Sequence, residues 1–364
     1  MIKNFLRKLS YFILIPFIVS GIIDAFLPIT FFTHRHFEAI SFQSGIPSKT
    51  KFYPLISSQM FAVGDLCHHT PFEVYKNERW VTDKLGYRNE KFIRKADILF
   101  LGDSFFQGSG LSQEETISEQ VNRKSTKHWS TYSMAPSDIN VFLRLLEERV
   151  ISKPKILVFS CVERNIPSKI ENDFNKKNGN LRNVLKSVFS YHNMNVYLDK
   201  ALKHYSLLWL KARLSESKGL GKQSPIRKEM FFLKGKNQKY PLENIPNTLK
   251  ILKSYKKLCD SLDISFLFVP MPNKETVYFN YVPFMKQPDY LLKLNTLLLK
   301  DSIETINTLS IYNNYLKHSK RLVYHTDDTH WNKNGVALIS NAIIEKISTN
   351  SKVFFHKTRK GVHL

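Results

Sequence analysis

Two short segments that lie far apart in the chain carry residue types able to perform nucleophilic catalysis together. Residues 98–104 read ILFLGDS, so four apolar residues lead through a glycine and an aspartate to Ser104. Residues 327–332 read DDTHWN and place His330 behind two aspartates. A serine hydroxyl is a weak nucleophile at neutral pH, and it needs a base within hydrogen-bond reach and a third group that orients the base. Ser104, His330 and either aspartate supply these three types.

The elements around the two segments would place them where such chemistry occurs. Residues 98–101 predict a buried strand that ends at Gly102, and open parallel sheets keep their functional residues at the carboxyl ends of strands. His330 precedes the last amphipathic helix, predicted over residues 334–348. Alone, a Gly-Asp-Ser string is typical of a turn or a helix N-cap, and an Asp-Thr-His string is no more specific. Their order, a serine after an early strand and a histidine before the last helix, favours a hydrolase site.

Further motifs extend this pattern along the chain. They are residues 83–89 (DKLGYRN), 101–110 (LGDSFFQGSG), 162–165 (VERN), 269–275 (VPMPNKE) and 328–332 (DTHWN) with Gly335. With these motifs, residues 82–348 resemble the SGNH (GDSL-like) hydrolases, and within them the branch that contains the alginate O-acetylation proteins. The resemblance implies a three-layer α/β fold with a doubly wound parallel sheet.

The resemblance also implies roles for individual residues. It makes Ser104 the nucleophile, His330 the base, Asp328 the orienting acid and Asn165 an oxyanion donor beside the Ser104 N–H. Asp327 stays an alternative acid, because the wider family often spaces its acid three residues before the histidine, whereas the acetylation branch tends to use two.

The predicted oxyanion hole departs from the family pattern. The family's second block normally contributes a glycine N–H, but no glycine occurs between Ser125 and Ile151. The matching stretch is residues 132–137, and a backbone donor needs no particular side chain. Ala135 or Ser137 is therefore the expected second backbone donor.

Three other residues are candidates for substrate contacts. Arg88, before the first predicted strand, could bind a carboxylate with both arms of its guanidinium or hold a loop. Lys274 follows a predicted strand end, so topology places it on the catalytic rim. Trp331 could pack against the imidazole of His330 or stack on a sugar ring.

Strands and helices alternate in the order expected of one doubly wound core. Strands are predicted at residues 98–101, 156–159 and 264–269. The predicted organisation is a cytoplasmic stub and membrane anchor over residues 1–32, a lead-in of irregular structure over 33–81, a catalytic domain over 82–348 and a basic tail over 349–364. Residues 167–242 form an insertion within the catalytic domain, rich in aromatic and basic residues.

The amino terminus predicts a membrane location. Residues 11–32 are apolar apart from Asp24, and a helix needs roughly 20 such residues to cross a bilayer. Lys3, Arg7 and Lys8 precede the apolar run, so the positive-inside rule leaves them in the cytoplasm and sends the rest to the periplasm or cell exterior. A cleaved signal peptide is the competing interpretation.

Charge and cysteine content narrow the possible partners. Lysine and arginine number 54 against 31 acidic residues, a net charge of +23, which indicates an anionic partner unless it reflects a genome-wide lysine bias. No nucleic-acid motif is present, so an anionic lipid surface or an acidic polysaccharide fits better. Three scattered cysteines make no disulfide framework. Cys67 and two following histidines lack a second ligand pair, so no metal is expected. The sequence has no glycine-rich phosphate loop, so no cofactor is expected either.

These observations lead to one functional hypothesis with two alternatives. The chain is expected to be a membrane-anchored serine acyltransferase that moves acetyl groups onto a cell-surface or exported polysaccharide through an acyl-serine. A multi-pass membrane partner that exports acetyl groups would supply them. The alternatives are a carbohydrate O-acetyl esterase with the same site and a catalytically inactive polysaccharide-binding protein.

Overall fold

The computed structural model describes residues 2–27, 31–42, 52–68, 70–166, 205–214, 219, 221–233, 242–282 and 288–349. Most of the predicted insertion over residues 167–242 and nearly all of the basic tail over residues 349–364 lie outside the described residues.

The described helices and strands alternate through most of the chain. The helices are α1 (Ile2–Phe26), α2 (His36–Ile40), α3 (Ser104–Gln107), α4 (Ile117–Lys124), α5 (Ile139–Glu147), α6 (Tyr205–Leu214), α7 (Ile245–Ser261), α8 (Lys274–Val277), α9 (Tyr290–Lys300), α10 (Thr308–His318) and α11 (Lys333–Thr349). The strands are β1 (Ser57–Ala62), β2 (Lys76–Val81), β3 (Ile98–Leu101), β4 (Thr131–Ser133), β5 (Ile156–Val162), β6 (Gly221–Gln223), β7 (Phe231–Leu233) and β8 (Ser265–Met271).

The central sheet has the strand order β4-β3-β5-β8, and each neighbouring pair is parallel. Strands β3, β5 and β8 are buried along their whole length, as expected of parallel strands covered on both faces. Phe268 of β8 forms a further parallel bridge with Thr305. The predicted α/β class with a parallel central sheet is confirmed.

Helices cover the two faces of this sheet. Helix α11 packs against α4 and α10, whereas α7 packs against α9. Right-handed crossovers explain this division, because the chain moves one way along the sheet from β3 to β4 and the other way from β4 to β5 and β8. The carboxyl ends of β3, β5 and β8 therefore meet at one edge, between the two helical layers.

The lead-in segment has more regular structure than its sequence predicts. Strands β1 and β2 form an antiparallel pair, and Trp80 joins Ala39, Ile40, Phe52 and Tyr53 in a small core of its own. Burial alternates along β1 and β2, but polar Glu78 points inward and apolar Phe61 points outward. The period-2 pattern of apolar and polar residues that predicts strands is therefore poorly developed in the sequence.

Helix α1 is long and apolar enough to cross a membrane, with a mean hydropathy of 1.7 over Ile2–Asp24. A signal sequence near an amino terminus can meet the same criteria of length and composition. The single acid in its apolar stretch has partners in the described structure, since Asp24 Oδ1 accepts a hydrogen bond from the N–H of Ser206 in α6 at 2.9 Å.

Candidate active site

The end of β3 fixes Ser104 through its neighbour Asp103. Asp103 caps the short helix α3, with Oδ1 accepting from the Phe105 N–H at 3.0 Å. Its other oxygen, Oδ2, accepts from the Val162 N–H at the end of β5 at 2.7 Å. One buried carboxylate therefore ties the serine turn to the adjacent strand and holds Ser104 at the carboxyl edge of the sheet.

Helix α3 ends after one turn at Gly108, whose left-handed conformation (φ 86°) suits glycine. Arg88 secures this turn. Its guanidinium donates to the carbonyl oxygens of Gly108 and Leu111, both at 2.6 Å, and lies 3.8 Å from the ring centroid of Trp80. Arg88 is fully buried, so of its two sequence-based interpretations the structure shows the loop-holding one and gives its arms no path to a substrate carboxylate.

His330 lies between the serine and one of the two aspartates. Its Nε2 is 2.7 Å from the Ser104 Oγ, and its Nδ1 is 2.5 Å from Asp328 Oδ1. The same carboxylate oxygen accepts from the His330 N–H at 2.9 Å. Burial alone would raise the pKa of Asp328, but the adjacent imidazole of His330 holds that pKa well below its usual range. The Asp328 carboxylate is therefore ionised beside the imidazole at neutral pH.

The neighbouring Asp327 points away from His330. Its Oδ2 accepts from the Gly64 N–H and from Lys76 Nζ, both at 2.8 Å, and from the Val74 N–H at 3.2 Å. All three partners lie in residues 63–76, which run from the end of β1 to the first residue of β2. We call this segment the lead-in connection. The geometry thus brings Asp328, and not Asp327, to the imidazole.

Asp65 is a part of the site that the sequence did not reveal. Its carboxylate accepts from both the N–H and the hydroxyl of Thr329, at 2.9 Å and 2.8 Å. Burial and the nearby Asp328 carboxylate raise the pKa of Asp65. Asp65 lies outside the segments that resemble the hydrolases, so no motif signalled it.

Lys274 supports the same loop. Its Nζ donates to the carbonyl oxygens of Thr326 at 2.8 Å and Asp328 at 3.1 Å. Burial of the ammonium lowers the pKa of Lys274 to about 8, against the opposing effect of Glu275 and the site carboxylates. The side chain is buried, so its observed partners are backbone carbonyls on the loop that carries the histidine.

Trp331 lies in the core and not on an open rim. Its ring packs edge-on to Phe105 at 5.7 Å and parallel to Phe106 at 6.3 Å, and it has no exposed surface. The observed ring against the His330 imidazole is Phe105, at 5.1 Å between centroids. Neither sequence-based role of Trp331, packing on the imidazole or stacking on a sugar, matches these neighbours.

Both predicted backbone donors of the oxyanion hole have acceptors in the structure. The Ala135 N–H lies 3.3 Å from Ser133 Oγ, and the Ser137 N–H donates to the Gly102 carbonyl at 3.0 Å. Each amide has a single hydrogen, so neither is available in this conformation. Among the described residues the Ser104 N–H has no acceptor, and Asn165 is exposed at the end of the 3-10 turn that follows β5.

Glu163 and Arg164 in this turn bind a neighbouring loop. Glu163 accepts from the Asn273 N–H at 3.0 Å and the Thr276 hydroxyl at 2.6 Å. Arg164 donates from Nη1 to Asn273 Oδ1 at 3.2 Å. Burial raises the pKa of Glu163 to about 7. The turn after β5 and the loop after β8 are therefore fixed to each other beside the serine.

Asp65, Asp328 and His330 are also the described residues whose ligand atoms lie close enough together to hold a metal ion, within 4.8 Å of one another. Both ring nitrogens of His330 already bond to Ser104 and Asp328, which fits a hydrogen-bonded relay better than a ligand set. No metal was expected at Cys67 and the two histidines that follow it. The His68 ring stacks on the His34 ring with 5.2 Å between their centroids, and residue 69 lies outside the described residues.

Comparisons with known proteins found solved structures with a partial likeness at low sequence identity. No protein-family model matches the chain, and no curated protein matches it. Among similar solved structures, a GDSL-like lipase from Bacteroides thetaiotaomicron is 10% identical, with 71% of this chain and 89% of that chain covered at a TM-score of 0.33. An acetylxylan esterase from Geobacillus stearothermophilus is 11% identical, with coverage of 70% and 94% at a TM-score of 0.35. An alpha/beta hydrolase enzyme from the metagenome of Lake Arreo, Spain, is 10% identical, with coverage of 71% and 97% at a TM-score of 0.35.

Proposed function

We propose that this protein is a serine acyl-transfer enzyme of the SGNH type, with Ser104 as nucleophile, His330 as base and Asp328 as orienting acid. The observation that carries the proposal is the continuous hydrogen-bonded chain from Asp328 through His330 to Ser104, with distances of 2.5 Å and 2.7 Å. Nucleophile, base and orienting group within hydrogen-bond reach are the geometric signature of this chemistry.

The reaction follows from these positions. Ser104 Oγ attacks the carbonyl carbon of an ester while His330 Nε2 accepts the hydroxyl proton, and Asp328 stabilises the imidazolium. The Ser104 N–H and Asn165 are the donors proposed for the developing oxyanion. The imidazolium then returns its proton to the departing alcohol oxygen, which leaves an acyl-serine. A second hydroxyl attacks that intermediate with His330 again acting as base.

The identity of the second hydroxyl separates transfer from hydrolysis. We propose transfer of acetyl groups to a cell-surface or exported polysaccharide, with α1 as an uncleaved anchor and the site on the periplasmic or extracellular side. An apolar first helix and a net charge of +23 support this proposal, together with the sequence resemblance to the acetylation branch. An acetyl-exporting, multi-pass membrane partner would supply the donor. A carbohydrate esterase, with water as acceptor, uses the same three residues.

The first experiment compares the full-length protein in detergent with Ser104→Ala and the matched control Ser109→Ala. Ser109 Oγ is buried and has no partner among the described residues, so its removal should leave turnover intact. Each protein receives a chromogenic acetyl ester with and without an oligosaccharide acceptor. We expect Ser104→Ala to lower kcat by about a thousandfold or more.

The products distinguish the alternatives. Acetylated oligosaccharide formed only by proteins that retain Ser104 indicates a transferase, and acetate alone indicates an esterase. Wild-type activity that survives in Ser104→Ala would remove the serine from the mechanism. Binding of oligosaccharide without any turnover would favour the inactive polysaccharide-binding alternative.

A further inference from the structure

Helix α6 is a largely apolar helix that the protein leaves partly exposed. Residues 205–214 read YSLLWLKARL, with one serine and two cations as the only polar residues. Leu210 and Leu214 are 46% and 77% exposed. A helix that is apolar on most of its surface is stable in a protein core or in lipid, and the exposed leucines show that a core does not account for α6. The proposed acyl-transfer mechanism uses no residue of this helix.

The first turn of α6 is attached to the last turns of α1. Asp24 Oδ1 accepts from the Ser206 N–H at 2.9 Å, and the Ser20 and Ser206 hydroxyl oxygens lie 2.7 Å apart. A carboxylate at this place meets an otherwise unpaired N–H group and the positive end of the helix dipole. The contact therefore satisfies the acid in the apolar stretch of α1 and sets the level of α6 along that helix.

The length of α1 places this contact at a membrane boundary. The 23 residues from Ile2 to Asp24 measure about 34 Å along a helix, and the apolar core of a bilayer is about 30 Å thick. When α1 crosses a bilayer, Asp24 therefore lies where the apolar core ends, on the side opposite Lys3 and Arg7. Helix α6 is about 15 Å long and is too short to cross by itself.

Two side chains of α6 suit the headgroup layer at this boundary. The Trp209 ring lies 6.4 Å from the ring of Phe31, which follows the end of α1 and is 59% exposed. Tryptophan is enriched where membranes meet water. Lys211 is exposed, and a lysine on such a helix can extend its ammonium group to anionic headgroups while its stem stays on apolar surface.

We propose that α6 is an interfacial helix, which lies in the outer surface layer of the membrane that α1 crosses and inserts Leu210 and Leu214 among the acyl chains. Ser206 and Trp209, three residues apart, contact the α1 segment. Leu207, Leu210 and Leu214 form the adjoining stripe at spacings of three and four. This stripe continues the apolar, exposed surface of α1. The inference rests on the membrane anchor of the proposed function and adds a second membrane contact to it.

A second membrane contact would fix how the candidate active site faces the membrane. Residues 215–220 separate α6 from β6, so the two elements lie at most about 25 Å apart along the chain. Strand β6 pairs with β7, and the Phe231 N–H in β7 donates to the Thr326 carbonyl at 3.0 Å. Thr326 belongs to the loop that carries His330. A docked α6 would therefore hold this loop near the outer membrane surface, where a membrane partner would deliver acetyl groups.

The test measures tryptophan fluorescence of the full-length protein in vesicles of phosphatidylcholine and phosphatidylglycerol. The chain has four tryptophans. Trp80, Trp129 and Trp331 are at most 5% exposed, so Trp209 is the one that lipid can approach. Lipids brominated near the headgroup or near the chain end quench a tryptophan at their own depth. We expect the shallow label to quench at least about twofold more than the deep one.

Two single variants assign the signal to its residue. Trp209→Phe should abolish the quenching, because it removes the tryptophan at the proposed interface. Trp129→Phe is the matched control and should be quenched like the wild type. Quenching that survives in Trp209→Phe, or a deep label that quenches as strongly as the shallow one, would overturn the inference.

A pair of charge variants tests the leucine stripe. Leu210→Glu/Leu214→Glu should lower the quenching of Trp209 by roughly half or more, because carboxylates oppose insertion among acyl chains. The matched control is Phe61→Glu/Leu299→Glu, at apolar residues that are 67% and 52% exposed on β1 and α9, and it should be quenched like the wild type. An equal loss in the two pairs, or no loss in the leucine pair, would contradict insertion of the stripe.

Flotation of the vesicles separates this inference from the proposed anchor. Wild-type protein that floats with the vesicles but shows no quenching by lipid keeps the anchor and loses the interfacial helix, including the case in which α6 docks on a membrane protein instead. Protein that does not float loses both. The acyl-transfer proposal is judged by its own Ser104-dependent turnover, which neither result decides.

Discussion

The two halves of the candidate active site are built in different ways. On the serine side, Asp103 and Arg88 act within a short stretch of chain and its neighbouring strand. On the histidine side, the loop from His325 to His330 is held from outside by Asp65, Lys76 and Lys274, which come from distant parts of the sequence.

This difference indicates which contacts position the serine and which position the imidazole. A strand end and a capped helical turn position Ser104, the proposed nucleophile, through contacts close to that strand end. The imidazole depends on the three side chains that hold its loop, Asp65, Lys76 and Lys274. We call these three residues the clamp, and they come together only in the complete fold. Substitutions in the clamp should therefore affect catalysis at a distance from the reacting atoms, since small displacements of a catalytic group cost rate steeply.

The largest expected effect comes from the two adjacent aspartates. Asp328→Asn should lower kcat by about ten-thousandfold, because the amide cannot stabilise the imidazolium and favours the wrong tautomer. Asp327→Asn is the matched control, with the same chemical change one residue away. It should lower the melting temperature, because the ion pair with Lys76 is lost. Its effect on kcat should be small. Steady-state kinetics with a chromogenic acetyl ester and a melting curve measure both. A larger kcat loss in Asp327→Asn would reverse the assignment of the acid.

A smaller loss of rate is expected from a substitution in the clamp. Asp65→Ala removes both acceptors of Thr329 and should lower kcat between roughly tenfold and a hundredfold with little change in KM. Asp97→Ala is a fitting comparison, because Asp97 also binds one residue through its N–H and hydroxyl, Ser130, but at the start of β3. The kcat of Asp97→Ala should stay within about twofold of wild type. Equal losses in the two variants would mean that Asp65 acts only through general stability.

Backbone packing beside the clamp can be tested without touching a polar group. A Cβ on Gly64 would lie 2.1 Å from the Asp327 carbonyl oxygen, a backbone atom that cannot rotate away. Gly64→Ala should lower the unfolding free energy by about 2 kcal/mol or more and reduce activity as the loop shifts. Gly21→Ala has no atom within 4 Å of the new Cβ and should match wild type. Chemical denaturation of both variants measures the difference, and equal stability would refute a rigid contact here.

Taken per pH unit, the smallest expected effect is a dependence of stability on pH. Burial, together with the nearby charge of Lys76, lowers the pKa of His325 to about 3. The unfolded chain therefore binds more protons than the folded one between that value and the ordinary histidine range near pH 6.5. Stability from neutral His325 is complete above pH 6.5 and falls by roughly 1.4 kcal/mol for each pH unit between pH 6.5 and the folded pKa of about 3.

His325→Gln should flatten this acid dependence, measured as the unfolding free energy from pH 7 to pH 4. His318→Gln changes an exposed histidine on α10 and should follow the wild-type curve. An unchanged slope in His325→Gln would place the acid-sensitive group elsewhere and weaken the contrast between the two sides.

The sequence predicted the parts of the molecule that depend on short-range pattern. Continuous apolar runs predicted β3 with its observed bounds, and β5 and β8 with small extensions, because buried parallel strands need no alternation. The last helix was predicted over residues 334–348 and spans Lys333–Thr349. The order of the two motifs along the chain, together with the family resemblance, led to the pairing of Ser104 with His330. In the structure, His330 Nε2 lies 2.7 Å from Ser104 Oγ.

Long-range side-chain geometry lay beyond the sequence. Arg88 and Trp331 each had a substrate-binding and a packing interpretation, and Lys274 was expected on the catalytic rim. All three side chains are buried among partners contributed by other segments. The Ala135 N–H was expected to donate to the oxyanion, and in the structure it lies 3.3 Å from the Ser133 hydroxyl. Which atoms occupy the surrounding space depends on contacts between residues far apart in the chain, and local composition carries no record of them.

The sequence by itself determined the fold class, the apolar first helix and the three residue types of the proposed relay. Only the tertiary structure decided that Asp328 and not Asp327 faces the imidazole, because a lead-in segment more than two hundred residues earlier binds the other carboxylate. Adjacent side chains in an irregular loop point in different directions, and the groups packed around the loop fix which of them reaches His330.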